Sequence, residues 1–179
     1  MTENTLTPIL DTIIRKRWNT MPTHVTVGYL LATALLVSVA SALLIGYQPL
    51  LLKHWQQSFV YKQASGFLLL AYLLLQWRLA KSRIRQERGR MGRVLAQHKV
   101  SAVLGPLLCY LHASSPGYGF QSILMMTFLL CLLTGCLNRE FLGITSRSYG
   151  NAWMVMHVNL ATATLILLGC HVYVVYFYR

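Results

Sequence analysis

The sequence predicts an all-α integral membrane protein in which five transmembrane helices form one bundle. Its 179 residues are 55% hydrophobic and 11% charged, whereas a soluble domain usually carries about 25% charged residues. The mean hydropathy is positive, at +0.49. Five apolar segments approach the roughly 20 residues that a helix needs to cross the hydrocarbon core of a bilayer. Together these observations favour a lipid environment.

The five predicted spans belong to a single transmembrane domain at 27–179. The fourth span is short but contains no charged residue. The sequence SSPGYG at 114–119 separates the third span from the fourth, and its serine, proline and glycine residues favour a tight turn over one continuous helix. The predicted spans are 27–47, 58–79, 94–113, 121–137 and 153–177.

The N-terminal segment 1–26 is expected to be retained as a cytoplasmic or interfacial segment. A signal peptide would have a shorter basic region and a small-residue cleavage site. Here the first long apolar run begins near residue 27, after the basic cluster at 15–17. The apolar residues between 9 and 14 share one helical face, which fits an interfacial amphipathic helix. An ordinary helical lead-in to the first span fits equally well.

Lysine and arginine residues are concentrated in the connections on one side of the predicted bundle, with twelve on that side against three on the other. The positive-inside rule makes the basic side cytoplasmic, so the N-terminus is expected inside and the C-terminus outside a bacterial cytoplasmic membrane. The segment 78–93 is the main predicted basic loop, and docking of an acidic partner is a second interpretation of it. The net charge of +12 indicates contact with the lipid surface, and nucleic acid is not an expected partner.

Four of the six histidines repeat one spacing. His98 and His112 are fourteen positions apart on the third predicted span, and His157 and His171 are fourteen apart on the fifth. Fourteen residues advance about 21 Å along an α-helix and make nearly four whole turns. Because both spans run in the same direction, His98 is expected at the depth of His157, and His112 at the depth of His171.

This arrangement is the geometry of two bis-histidine haems held between two parallel helices. Neutral imidazole is a suitable axial ligand for haem iron, and helical bundles commonly hold cofactors in their interiors. The sequence therefore predicts two non-covalent b-type haems. The inner haem has His98 and His157 as iron ligands, and the outer haem has His112 and His171. Any one of these histidines alone is equally well read as a packing residue, a proton relay or a lipid-surface residue, and it is the repeat that favours ligation.

Gly105 is a further candidate, for packing against a haem. It lies midway between His98 and His112, where a missing side chain would leave room for a porphyrin face. An ordinary kink with Pro106 is the alternative. His24 and His54 lie at span edges and are interpreted as interfacial. No catalytic residue is predicted.

On these four histidines the chain resembles the transmembrane haem core of the ferric reductase and NADPH oxidase family, and it is similar in histidine spacing to respiratory cytochrome b. The resemblance covers about residues 94–177 and favours the ferric reductase type, in which the third and fifth spans also carry the haems. It implies the same four axial ligands and electron transfer from haem to haem. The sequence contains no GxGxxG motif and no proline-glutamate-tryptophan quinol motif, so the resemblance is limited to the haem core.

The expected function is that of a dihaem cytochrome b subunit, a non-catalytic part of a larger oxidoreductase complex. Its expected partners are other redox subunits, namely a cytochrome c, an iron–sulfur protein or a dehydrogenase, with a quinone as a further candidate. Two alternatives remain open. One is a stand-alone quinol-dependent or ferric-type reductase, and the other is a haem-free structural subunit of a membrane complex.

Overall fold

The computed structural model of the protein describes residues 23–113 and 115–178, and these residues form α-helices and no β-strand. The prediction of an all-α fold is therefore confirmed. The helices are α1 (Thr23–Leu44), α2 (Leu50–Gln57), α3 (Phe59–Gln76), α4 (Arg78–Ile84), α5 (Arg88–Ala102), α6 (Leu104–His112), α7 (Phe120–Cys136), α8 (Arg139–Leu142) and α9 (Arg147–Phe177).

Two of the described helices are long and apolar enough to cross a membrane, namely α1 and α9. The number rises to four if each of two bent helix pairs, α2 with α3–α4 and α5 with α6, counts as one span. The fourth predicted span corresponds to α7, which is apolar but has only 17 residues. The structure thus supports two to four spans, and the count of five stays a prediction.

Some of the predicted features lie outside the described residues. These are residues 1–22 of the N-terminal segment, with the basic cluster at 15–17 and the apolar face between 9 and 14, together with Ser114 and Arg179.

The short helix α2 meets the following helix at 96°. The bend lies at Ser58, which has an extended backbone between the two helices. Gln56 at the end of α2 is buried, and its Nε2 donates to the carbonyl oxygens of Tyr110 and Leu111 at 2.8 and 3.0 Å. The last carbonyls of a helix have no partner within that helix. The side chain of Gln56 therefore holds the C-terminal turn of α6, where His112 is located.

The basic segment predicted as a loop at 78–93 is largely helical. α4 follows α3 after a break at Trp77, and α5 begins at Arg88. Arginine and lysine are good helix formers, which explains why so basic a connection stays helical. The reversal is confined to residues 85–87, where Gln86 has a φ of +53°.

The third predicted span is divided into α5 and α6, which meet at 46°. Pro106 has no N–H to pair with the carbonyl of Ala102, four residues earlier. The hydroxyl of Tyr72 on α3 donates to that carbonyl oxygen at 3.4 Å. A Cβ atom at Gly105 would lie 2.8 Å from the Tyr72 hydroxyl and 2.9 Å from Leu132 Cδ2, so glycine is needed for this approach. These side chains fill the space beside Gly105, and its role in haem packing stays a prediction.

The helices that carry the four repeated histidines are braced by helices that carry none of them. α9 packs along α7, while α6 packs against α3 and α1. A buried cluster joins α1, α3, α6 and α7, and within it Cys109 Sγ lies 3.2 Å from Met125 Sδ. The cluster consists of Val39, Leu43, Tyr72, Cys109, Met125 and Phe128.

Candidate functional site

The four repeated histidines meet as two cross-helix pairs. His98 on α5 lies beside His157 on α9, with ring centroids 6.3 Å apart and ring planes at 86°. His112 on α6 lies beside His171 on α9, with centroids 6.5 Å apart and planes again at 86°. All four rings belong to half-buried residues. The chain therefore builds nearly the same arrangement twice, once at each end of α9.

The separation within each pair fits one metal ion between two imidazoles. Metal–nitrogen bonds of about 2 Å to each ring place the two nitrogens about 4 Å apart and the ring centroids about 6 Å apart. A direct hydrogen bond between the rings would instead bring the centroids to about 5 Å. An edge-to-face aromatic pair also falls at about 4.5–7 Å, so the surroundings of the ring nitrogens are needed to distinguish a ligand pair from a packing pair.

His157 is oriented by contacts on two sides. Trp153, one turn earlier on α9, stacks on its ring with centroids 5.7 Å apart and planes at 8°. The indole Nε1 of Trp153 donates to the carbonyl oxygen of Thr134 on α7 at 2.7 Å. The hydroxyl of Thr134 lies 3.0 Å from His157 Nδ1. Beside it, a Cβ atom at Gly135 would lie 3.5 Å from His157 Cε1, so the imidazole lies directly against the backbone of α7.

His112 has a matching environment on α3. The hydroxyl of Ser65 lies 3.1 Å from His112 Nδ1. A Cβ atom at Gly66 would lie only 3.1 Å from His112 Cε1, which is closer than an ordinary van der Waals contact. The phenol of Tyr61, one turn before Ser65, donates to the carbonyl oxygen of Leu111 at 3.1 Å. The end of α6 is thereby fixed against α3 on both sides of the imidazole.

The two environments share a short sequence pattern, a hydroxyl residue directly followed by glycine. It occurs as Ser65–Gly66 on α3 and as Thr134–Gly135 on α7. In both places the hydroxyl contacts the Nδ1 atom and the glycine admits the ring. The sequence interpretation missed these four residues, because only the packing of α3 and α7 shows which imidazoles they contact.

The hydrogen bonds of the two hydroxyls favour one tautomer of His112 and of His157. The Ser65 hydroxyl donates to the carbonyl oxygen of Tyr61 at 2.8 Å, and the Thr134 hydroxyl donates to that of Cys131 at 2.8 Å. A hydroxyl has a single hydrogen, so towards the imidazole each oxygen accepts and Nδ1 carries the proton. The Nε2 atom of each ring then keeps its lone pair. This is the arrangement that metal-binding histidines require, with the second ring nitrogen fixed by an outer hydrogen bond.

The other ring of the inner pair, His98, is held differently. Its Nδ1 atom is buried and has no hydrogen-bond partner among the described residues. A buried polar atom without a partner costs free energy, and within the described part of the chain this nitrogen lacks the outer hydrogen bond seen at His157 and His112. The inner pair thus combines His157, whose Nδ1 atom contacts a hydroxyl, with His98, whose Nδ1 atom has no such contact with the residues that the structure describes.

Positive charge lies close to the inner pair. Arg83 on α4 donates from Nη1 to the Met154 sulfur at 3.1 Å, and Met154 lies three residues before His157 on α9. This contact brings the basic α4 segment to the end of the bundle that holds His98 and His157. Negatively charged groups are favoured beside such a segment.

The fold and the site define a helical bundle with membrane-length apolar helices and two histidine pairs, each at a separation that one metal ion spans. Comparisons with protein-family models, with curated proteins and with solved structures returned no match. Within 23–113 and 115–178, no three or more His, Cys, Asp or Glu side chains gather into a larger candidate metal site. The two histidine pairs and their hydroxyl partners are therefore the candidate functional site.

Proposed function

We propose that the chain is a dihaem cytochrome b subunit that carries electrons across a bilayer between two bis-histidine haems, within a larger electron-transfer complex. The observation that supports this proposal is the repeated pair of rings, 6.3 and 6.5 Å apart, with one ring of each pair oriented by a hydroxyl group. When bound, the two haems supply one-electron redox chemistry, and the protein supplies ligation, orientation and electrostatics.

The residues have distinct roles in this proposal. His98 and His157 hold the inner iron, and His112 and His171 hold the outer iron. Ser65 and Thr134 keep one ligand of each pair in the tautomer that leaves Nε2 free to bind. Trp153 covers one face of His157 and keeps water from it.

The proposal places the chain in the membrane as five spans. These are α1, α3, the later part of α5 with α6, α7 and α9, with α2 and the basic α4 at the membrane surfaces. The clustering of cations at 78–93 supports a cytoplasmic position for that end of the bundle, which puts the N-terminus inside and the C-terminus outside a bacterial cytoplasmic membrane. Proposed partners are a cytochrome c, an iron–sulfur protein or a dehydrogenase, with a quinone as a further candidate.

The test is the haem content of the purified chain. We expect the protein, produced with haem supplied and purified in mild detergent, to show a b-type α band in its reduced-minus-oxidised spectrum and two haems per chain. Circular dichroism of the same sample establishes that the chain is folded. A folded chain without the band would favour a haem-free packing role for the histidine pairs. One haem per chain would contradict the dihaem proposal.

A further inference from the structure

A cleft of about 190 Å³ lies between α4 and the start of α5. Four basic side chains line it, two from the beginning of α4 and two from the reversal and the first turn of α5. These are Arg78, Lys81, Arg85 and Arg90. None of these residues belongs to the two histidine pairs.

The cleft has a large excess of positive charge. Its lining contains a single carboxylate, that of Glu87. The Oε2 atom of Glu87 accepts a hydrogen bond from the hydroxyl of Ser82 at 3.0 Å, and Ser82 is buried. This carboxylate is therefore held at the buried side of the cleft, and the four cations around it repel one another. An anion that enters the cleft would relieve that repulsion.

The position of the cleft on the bundle indicates where this anion comes from. On α3, Leu74 and Leu75 have side chains that are 56% and 58% exposed, and they lie about one turn before Arg78. Ile84, next to Arg85 in the sequence, is 82% exposed. Exposed apolar side chains about one turn from a basic cleft match an amphiphile, with acyl chains along α3 and a charged headgroup in the cleft. Basic pockets at the cytoplasmic ends of membrane helices bind phosphate headgroups in this way.

We infer that this cleft binds the phosphate headgroup of an anionic phospholipid. The inference rests on the membrane placement in the proposed function, but it does not depend on the haems. Free inorganic phosphate shares the headgroup chemistry without the acyl chains, so the two sources are separated by whether the apolar surface of α3 contributes to binding.

The experiment is native mass spectrometry of the detergent-purified chain with added phosphatidylglycerol, with phosphatidylcholine as the neutral lipid. We expect a preference for phosphatidylglycerol. In the variant Arg85→Gln/Arg90→Gln the affinity for phosphatidylglycerol is expected to fall by about thirty-fold, since each basic residue near a lipid surface contributes about a fivefold factor. A second cleft variant, Arg78→Gln/Lys81→Gln, is expected to behave in the same way.

The matched control is Arg93→Gln/Arg147→Gln, which removes the same charge from the same end of the bundle outside the cleft. Its affinity for phosphatidylglycerol is expected to fall much less than that of the cleft variants, because neither residue lines the cleft. An equal loss in the cleft variants and in the control would overturn the inference, because it would show attraction by net charge alone. Displacement of the lipid by millimolar inorganic phosphate would also overturn it, in favour of a free-phosphate site.

The haem spectrum of each sample keeps this test separate from that of the proposed function. Selective lipid binding by a folded chain without haem would contradict the dihaem proposal and support the lipid site. Two haems per chain without lipid selectivity would support the dihaem proposal and contradict the lipid site.

Discussion

The hydroxyl oxygen of Thr134 and the Nδ1 atom of His157 lie 3.0 Å apart, and the same hydroxyl donates its hydrogen to the carbonyl oxygen of Cys131. Because the hydroxyl donates its hydrogen to Cys131, its oxygen acts as the acceptor in the contact with the imidazole. One residue on a neighbouring helix therefore contacts the Nδ1 atom of His157 and leaves its Nε2 atom without a contact from that residue. Ser65 makes the equivalent contact with His112 at 3.1 Å.

The first prediction concerns Thr134→Val, which keeps the shape of the side chain and removes the acceptor. A hydrogen bond from Nδ1–H makes the imidazole a stronger ligand and thereby favours ferric iron. We expect its loss to raise the midpoint potential of the inner haem by about 40 mV, which corresponds to one hydrogen bond of about 1 kcal/mol in a one-electron couple. A redox titration followed by absorbance measures this shift.

The control for this variant is Thr127→Val on the same helix. The hydroxyl of Thr127 also donates to its own helix, to the carbonyl oxygen of Ile123 at 2.7 Å, and no contact between it and a histidine is described. Its potentials are expected to match those of the unmodified protein. A similar shift in both variants would mean that Thr134 acts through general packing and not through His157.

The second prediction is that His112→Ala lowers the haem content from two per chain to one. In the proposed arrangement, removal of His112 would leave His171 alone to hold the outer haem, while the inner pair would be unchanged. The pyridine haemochrome assay, with protein quantified by amino-acid analysis, gives the ratio. His54→Ala is the matched control, because His54 is exposed on α2, and it is expected to retain both haems. A chain that keeps two haems after His112→Ala would exclude His112 as a ligand.

The third prediction compares alanine at the two glycines that contact histidine rings. At Gly66 the added Cβ would lie 3.1 Å from His112 Cε1, whereas at Gly135 it would lie 3.5 Å from His157 Cε1, an ordinary contact. We expect Gly66→Ala to displace His112 and to weaken outer-haem binding about tenfold, in the range for disturbed outer contacts of a metal ligand. Gly135→Ala should bind haem normally. Haem titration of the apoprotein measures both affinities.

Helix propensity makes this comparison informative. Alanine stabilises a helix relative to glycine by about 1 kcal/mol, so loss of haem in Gly66→Ala would not come from a weakened α3. Equal haem affinities in the two variants would show that His112 has room to move and would contradict the prediction.

The fourth prediction concerns the junction of α5 and α6. Tyr72→Phe removes the hydrogen bond to the carbonyl of Ala102, and we expect the free energy of unfolding to fall by about 1 kcal/mol. In a Pro106→Ala background the restored N–H is available to this carbonyl. Tyr72→Phe should then lower the free energy of unfolding by much less. A double-mutant cycle in detergent-mixed micelles measures the difference. An equal cost in both backgrounds would show that the Tyr72 hydroxyl does not substitute for the missing N–H.

The juxtaposition of the histidines was accessible from the sequence because it follows from helical arithmetic. Equal spacings of fourteen on two helices place the rings at matching depths, and the structure has His98 beside His157 and His112 beside His171. The helical class was equally accessible from the apolar runs. The ends of the helices were harder to predict. α9 begins at Arg147, six residues before its predicted start. At this observed start the Ser146 side chain accepts a hydrogen bond from the Tyr149 N–H.

The residues around the imidazoles were not accessible in the same way. Ser65, Gly66, Thr134 and Gly135 have no periodic signal of their own, and small residues are common in apolar helices. Their contacts with His112 and His157 arise only once α3 packs on α6 and α7 packs on α9. The hydropathy pattern alone also did not show the bends that affect how the spans are counted. These bends, at Ser58 and at the α5–α6 junction, divide apolar stretches into shorter helices.

The two anchoring hydroxyls stand on α3 and α7, neither of which supplies a ligand. At one end of the bundle the anchored ring belongs to α9, and at the other end it belongs to α6. A substitution that removes one of these hydroxyls would therefore change the surroundings of one histidine pair only. It would leave all four histidines in place. If the proposed haems are bound, the difference in potential between the two ends is the driving force for transfer between them, and residues 65 and 134 would then influence the preferred direction of electron flow.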